Sequence, residues 1–89
     1  MKQIVRSEYF LKVYRQRILP NKKLDKRFQE RVVLFQRGKG ADLLNDHALT
    51  RQMNGLRAFS VTGDVRVIYR VKADRYEFID IGTHQEVYN

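Results

Sequence analysis

The chain has two histidines, His47 in Asn45-Asp46-His47-Ala48-Leu49 and His84 in Gly82-Thr83-His84-Gln85-Glu86-Val87-Tyr88. Imidazole titrates near neutral pH, so two of them brought together can supply both a proton acceptor and a proton donor. Joined by Asp64, Arg66, Arg57 and Tyr88 at one end of a sheet, they form a set able to cleave a phosphodiester. One imidazole or carboxylate takes the ribose 2′-OH proton, another group protonates the departing 5′ oxygen, and arginine stabilises charge on phosphorus. A metal site built from Asp46, His47, Asp64 and His84 competes with this reading, but no i, i+4 pair or thiolate supports it. Ser60 lacks the strand-turn-helix elbow of a Ser-His-Asp hydrolase. Either histidine taken alone is more often a surface or hydrogen-bonded structural group than a catalytic one.

What must position these groups is the C-terminal third. Arg57 to Thr62, Val65 to Val71 and Tyr76 to Ile81 are rich in β-branched and aromatic residues and read as three strands. Gly63-Asp64 supplies the positive-φ residue of a tight hairpin, and Lys72 to Arg75 is a second short connection, giving an antiparallel meander. With the second hairpin centred on Ala73-Asp74, Tyr69 faces Phe78, Val67 faces Asp80 and Arg66 faces Ile81. Asp64 then lies beside Thr83 and His84, where its carboxylate would raise the imidazole pKa. A bulge at Gly63 would flip the face of every residue from Arg57 to Thr62.

The rest of the chain reads as packing for this sheet. Gln3-Ile4-Val5 can add a strand, and Ser7 caps a helix from Glu8 to Arg17 with Leu11, Tyr14 and Ile18 on one stripe. Pro20 and Asn21 stop it. A second helix opens near Pro20 to Lys22, carries Leu24, Phe28, Val32 and Phe35 at helical spacing, and ends at Arg37-Gly38. Its other face is Lys22, Lys23, Lys26, Arg27 and Arg31. Two amphipathic helices joined by a short turn must lay their stripes on the sheet. The predicted fold is α+β: an N-terminal strand, then an antiparallel helical hairpin packed on one face of a small antiparallel sheet. Gly38-Lys39-Gly40 follows a helix rather than a strand and is no phosphate loop. Asp42 to Asn54 is a connector with room for a helical turn.

An 89-residue chain is one domain, residues 1–89, with a small two-layer core. There is no cysteine, which fits a reducing cytoplasm. Met1 to Val5 is strand-like, and no stretch is apolar over membrane length. Eighteen Lys and Arg against ten Asp and Glu give a formal charge of +8, so the natural partner is a polyanion, with Arg57 and Arg70 as further phosphate contacts.

Asp46-His47-Ala48-Leu49, Gly55-Leu56-Arg57-Ala58-Phe59, Asp64-Val65-Arg66-Val67-Ile68-Tyr69, Ile81-Gly82-Thr83-His84 and Glu86-Val87-Tyr88 together resemble the RelE/ParE toxin superfamily, with the closest look to its YafQ-like branch. The resemblance spans essentially the whole chain. It implies a type II toxin that cuts messenger RNA, usually on the ribosome, with no metal or cofactor, and is neutralised by a cognate antitoxin, with a higher-order toxin-antitoxin complex possible. The functional residues of YafQ-like toxins fall on His47, Asp64, His84 and Tyr88, and the central-strand arginine of RelE-like members falls on Arg66. One departure is Ser60, where such toxins often carry another histidine. Two other functions fit the same chain: a ParE-like gyrase poison that catalyses nothing, and a plain RNA- or ribosome-binding module. Neither needs an acid/base pair.

Overall fold

The computed structural model describes residues 2–88, so Met1, with which the N-terminal strand was read to begin, lies outside them, as does Asn89. The elements run β1 (Gln3–Arg6), α1 (Glu8–Arg17), α2 (Lys22–Gln36), α3 (Gly40–Leu43), β2 (His47–Ala48), a 3-10 turn (Arg51–Met53), β3 (Arg57–Ser60), β4 (Val65–Val71), β5 (Arg75–Thr83) and α4 (His84–Tyr88). The fold is α+β. Its five strands lie in the order β1-β5-β4-β3-β2. The meander β3-β4-β5 is antiparallel, β2 extends it in the same sense, and β1 joins β5 in parallel as the outer edge.

Each helix starts and stops for a local reason. The Ser7 hydroxyl accepts the Phe10 amide and caps α1, and the Asn21 side chain accepts the Leu24 amide and caps α2. At the far end of α2, Gly38 sits at φ +76°, the left-handed conformation in which Lys39 N–H reaches the Leu34 carbonyl and Gly38 N–H that of Phe35. The buried stripe of α1 is Phe10, Val13 and Ile18, with Tyr14 half-buried; Leu11, expected on that stripe, is exposed. A slightly different phase lets the larger Phe10 point inward. The Tyr14 hydroxyl donates to Asp25, joining the two helices.

Phe78 on β5 is the centre of the main core. It is fully buried, and its ring lies 5.6–6.4 Å from those of Phe10, Phe28, Phe35, Phe59 and Tyr69. The stripe aromatics Phe28 and Phe35 are therefore core residues. A second, smaller cluster occupies the opposite face of the sheet, where Ala58, Ile68 and Val87 pack with Leu49, Met53, Leu56 and Tyr88.

The register differs from the expected one beyond Tyr69. Tyr69 pairs with Phe78 as expected, but a bulge follows, so Ile68 pairs with Asp80, Val67 with Ile81 and Arg66 with Gly82. In an unbroken ladder Asp80 would face Val67 in the core and Ile81 would sit beside Arg66. The extra residue restores Ile81 to the core and keeps the carboxylate out of it. The first hairpin also departs from expectation: Gly63 is not at positive φ, and Val61 to Asp64 join β3 to β4, with Ser60 paired to Arg66. Within it, the Thr62 hydroxyl accepts the amides of Asp64 and Val65.

Replacing Phe78 by Ala should cost about 3–5 kcal/mol, much of the stability of so small a domain. Chemical denaturation should show the variant largely unfolded near physiological temperature, with Phe78→Leu losing distinctly less.

Candidate active site on the second face of the sheet

Alternation along the strands decides which side chains share a face. His47 pairs with Ala58, and Ala58 with Ile68, so these three point to the face away from α1 and α2. Ser60 and Arg66, two residues further along, point the same way. After β5 the chain turns back over this face as α4. The turn is a reciprocal cap: the Thr83 hydroxyl accepts the Glu86 amide, and Glu86 Oε1 accepts the Thr83 amide at 2.8 Å. Gly82 makes room for it, because a Cβ there would lie 2.7 Å from Glu86 Oε1 and 2.9 Å from Arg17 Nη1. Arg17 in turn binds Asp80, Glu86 and the Ile81 carbonyl, closing the stretch of β5 edge that β1 leaves uncovered.

His47, Arg66, His84 and Tyr88 are thereby brought around one open depression of about 290 Å³, whose remaining wall is Leu49, Thr50 and Met53. The His84 ring meets the Tyr88 ring edge-on at 4.6 Å, and the Arg66 guanidinium carbon lies 5.8 Å from the centre of the same tyrosine. A cation over an aromatic face is held electrostatically with much of its hydrogen-bonding capacity free. Arg66 makes one long bond, from Nη2 to the Gly63 carbonyl at 3.5 Å.

His47 is exposed, and its Nδ1 lies 2.8 Å from the Asn45 carbonyl. A carbonyl can only accept, so Nδ1 carries the hydrogen and, in the neutral ring, Nε2 keeps its lone pair. Asn45 achieves this by adopting φ +51°, a left-handed conformation that asparagine tolerates well. Asp46 points to the other face. There Oδ2 accepts the Tyr69 hydroxyl and Oδ1 accepts Nε–H of Arg57 at 3.2 Å, while Gly40 packs against the carboxylate so closely that a Cβ would lie 2.7 Å from Oδ2. Burial, reinforced by the bond to Asp46, holds the Tyr69 phenol well above its ordinary pKa. The hydrogen bond to Tyr69, together with the Asp46 charge, raises the Arg57 guanidinium further above its usual value. This network pins the loop that presents His47.

Three sequence expectations are corrected here. Asp64 does reach His84, but its Oδ1 accepts the backbone amide at 3.3 Å, and among the described residues no hydrogen bond or ion pair joins it to the imidazole. It secures the start of α4 rather than facing the ring. Arg57 pairs with Tyr69 and so points to the helix side, away from the depression. Arg70 lies about 13 Å along β4 from Arg66, at 3.3 Å per residue, and is bound to its cross-strand partner Glu77. The reading from residue types alone also passed over the cap of α4, although Thr83-x-x-Glu86 is a recognisable capping pattern.

The model of a family described as the bacterial toxin of type II toxin-antitoxin systems, YafQ, matches residues 2–89. This chain belongs to the YafQ toxin family. Among solved structures, the fold resembles a copper-bound mutant toxin from Helicobacter pylori, with a TM-score of 0.75 and 24% identity over 98% of this chain and 99% of that one. YafQ in the Escherichia coli DinJ-YafQ complex superposes with a TM-score of 0.74 at 20% identity, each chain covered fully. The YoeB dimer from Staphylococcus aureus gives 0.71 at 17% identity over 93% and 97%. No curated protein sequence gives a significant match. Among the described residues, no helix is long and apolar enough to cross a membrane.

The raised Tyr69 phenol gives a pH test of the network. Its folded pKa exceeds the unfolded value of about 10, so the stability it adds is complete below that pH and is lost as the pH rises above it. In denaturation experiments Tyr69→Phe should be less stable than the unsubstituted protein at neutral pH, and the gap should narrow steadily above pH ~10.

Proposed function

We propose that this YafQ-family toxin is a metal-independent endoribonuclease that cleaves messenger RNA in the cytoplasm, in association with the ribosome, by attack of a ribose 2′-OH on the adjacent phosphate. The observation that carries the reading is the convergence of two imidazoles, one underused guanidinium and an aromatic ring on a single open depression. His47 is the general base, because the Asn45 carbonyl leaves Nε2 as the free acceptor on the ring. His84 is the general acid. It stands at the first turn of α4, anchored through its backbone amide by Asp64 and flanked by Tyr88, so its imidazole is free to donate to the departing 5′ oxygen. Arg66, held over Tyr88, stabilises the negative charge that builds on phosphorus.

In this scheme Asp64 is a positioning residue and Tyr88 a platform for the base or ribose beside the cleaved bond. Ser60 pairs with Arg66, so the place where related toxins often carry a further histidine adjoins the depression and is filled by a much smaller side chain. Two histidines then do the proton transfers. A cognate antitoxin neutralises the toxin, as the partnership of YafQ with DinJ suggests, and carboxylates on the antitoxin suit the basic site.

Replacing His84 by Gln keeps size and hydrogen bonding but removes the imidazole that would carry the proton. RNA cleavage should fall by about two to four orders of magnitude, with the melting temperature and antitoxin binding near those of the unsubstituted protein. Undiminished RNA cleavage by a well-folded His84→Gln protein would refute the catalytic assignment of His84, and full growth arrest with no RNA cleavage would favour a gyrase poison.

A further inference from the structure

We infer that the loop Thr50–Met53 is a second RNA subsite, in which the Arg51 guanidinium binds the phosphate next to the one being cleaved. This rests on the ribonuclease reading and adds a residue and a direction for the strand. Two independent observations carry it.

The first is conformational. Arg51 has φ +59°, and it shares positive φ with only one other non-glycine among the described residues, Asn45. Asparagine is among the residues that adopt this region readily, and at Gly55, at φ +91°, the chain uses glycine. Arginine has no such compensation, and the left-handed conformation costs a side-chain-bearing residue about 1–2 kcal/mol. Backbone requirements alone would favour Gly or Asn at position 51. The arginine is accounted for by what its side chain does, and strain of this kind is characteristic of ligand-contacting positions.

The second is spatial. Thr50, Arg51, Gln52 and Met53 line an open depression of about 350 Å³. Thr50 and Met53 also line the depression that holds His47, Arg66 and His84, so the two depressions adjoin across these residues. Among the described residues the exposed Arg51 side chain makes no hydrogen bond or ion pair, unlike Arg17, Arg57, Arg70 and Arg75. A strand with its reacting phosphate at Arg66 passes over Thr50 and Met53 and brings the neighbouring phosphate to Arg51. The Thr50 hydroxyl and Gln52 amide add donors along the way. A free cation on a depression adjoining the one that holds His47, Arg66 and His84 fits an RNA strand.

The test uses three variants of the whole chain, Arg51→Gly, Arg51→Asn and Arg51→Lys, with a short single-stranded RNA of mixed sequence as probe. Binding is read in a His84→Gln background so that the RNA stays intact. Gly and Asn relieve the backbone, so both variants should melt at a higher temperature yet bind RNA about tenfold more weakly, the size of one charge-assisted hydrogen bond. The slope of log affinity against log salt should become shallower by about 0.7, one single-strand phosphate contact. Arg51→Lys, which keeps the charge, should retain the slope. If His84→Gln abolishes cleavage but Arg51→Gly leaves affinity and salt slope unchanged, the subsite is refuted and the ribonuclease reading stands. If the unsubstituted protein does not bind the RNA and cuts no messenger RNA with ribosomes supplied, both fall. Weakened antitoxin capture with RNA binding intact would assign the Arg51 depression to the antitoxin and overturn the inference.

Discussion

The reversal of the chain at Thr83 is the point on which the second face depends. A five-residue helix has no stability of its own, because helix nucleation is unfavourable and too few turns follow to offset it. α4 exists because its ends are tied. The Thr83–Glu86 cap contributes about 0.5–2 kcal/mol, and Asp64 accepts the next amide. Val87, almost fully buried against Ala58 and Ile68, adds about 1.5–3 kcal/mol. Remove the turn, and His84 and Tyr88 leave the depression while Arg66 loses its aromatic support. Gly82 and Arg17 matter for the same reason: one leaves space for Glu86, and the other neutralises it while covering an open strand edge.

The sheet thus carries two unequal cores with separate tasks. The thick one, centred on Phe78, makes the strands rigid; the thin one under Leu49, Met53 and Val87 lies beneath the depression lined by His47, Arg66, His84 and Tyr88. The charge is divided in the same way. Arg27 and Arg31 on α2 donate to the carbonyls of Val61 and Leu43, and Arg17, Arg57, Arg70 and Arg75 face carboxylates. Several members of the +8 excess therefore hold the fold together. Arg66 and Arg51 face no carboxylate among the described residues, and what sets them apart from other unpaired surface arginines is their place at the depressions of the second face.

Much of this was legible in the residues. Alternating β-branched and aromatic runs defined β4 to the residue, the cap at Ser7 placed the start of α1, and Arg37-Gly38 placed the end of α2. The bulge was not read, though Phe78-x-x-Ile81 breaks the period of two with an acid between the apolar positions, which is the signature of an inserted residue. Strand β2 is two residues long and gains its pairing only from β3, so no local propensity announces it. Of the site residues, Arg66, His84 and Tyr88 were assigned to one sheet end by strand order and the turn after Gly82, whereas His47, on the unread β2, was grouped with them for its chemistry alone. Arg57 and Arg70 could not be sorted by composition, because a cation's availability depends on tertiary partners such as Asp46, Tyr69 and Glu77. Asp64 was near the right residue but on the wrong atom, since sequence proximity does not distinguish an amide from an imidazole.

The central claim is that this site drives attack by a ribose 2′-OH with two histidines as proton carriers. The most direct measurement compares cleavage of a messenger RNA with that of the same RNA carrying a single 2′-deoxy substitution at the nucleotide before the cut, with ribosomes supplied in both reactions. The account predicts that the substituted site stays intact while neighbouring cuts persist, and that the unsubstituted product ends in a 2′,3′-cyclic phosphate. Cleavage at the deoxy position at an undiminished rate would contradict it.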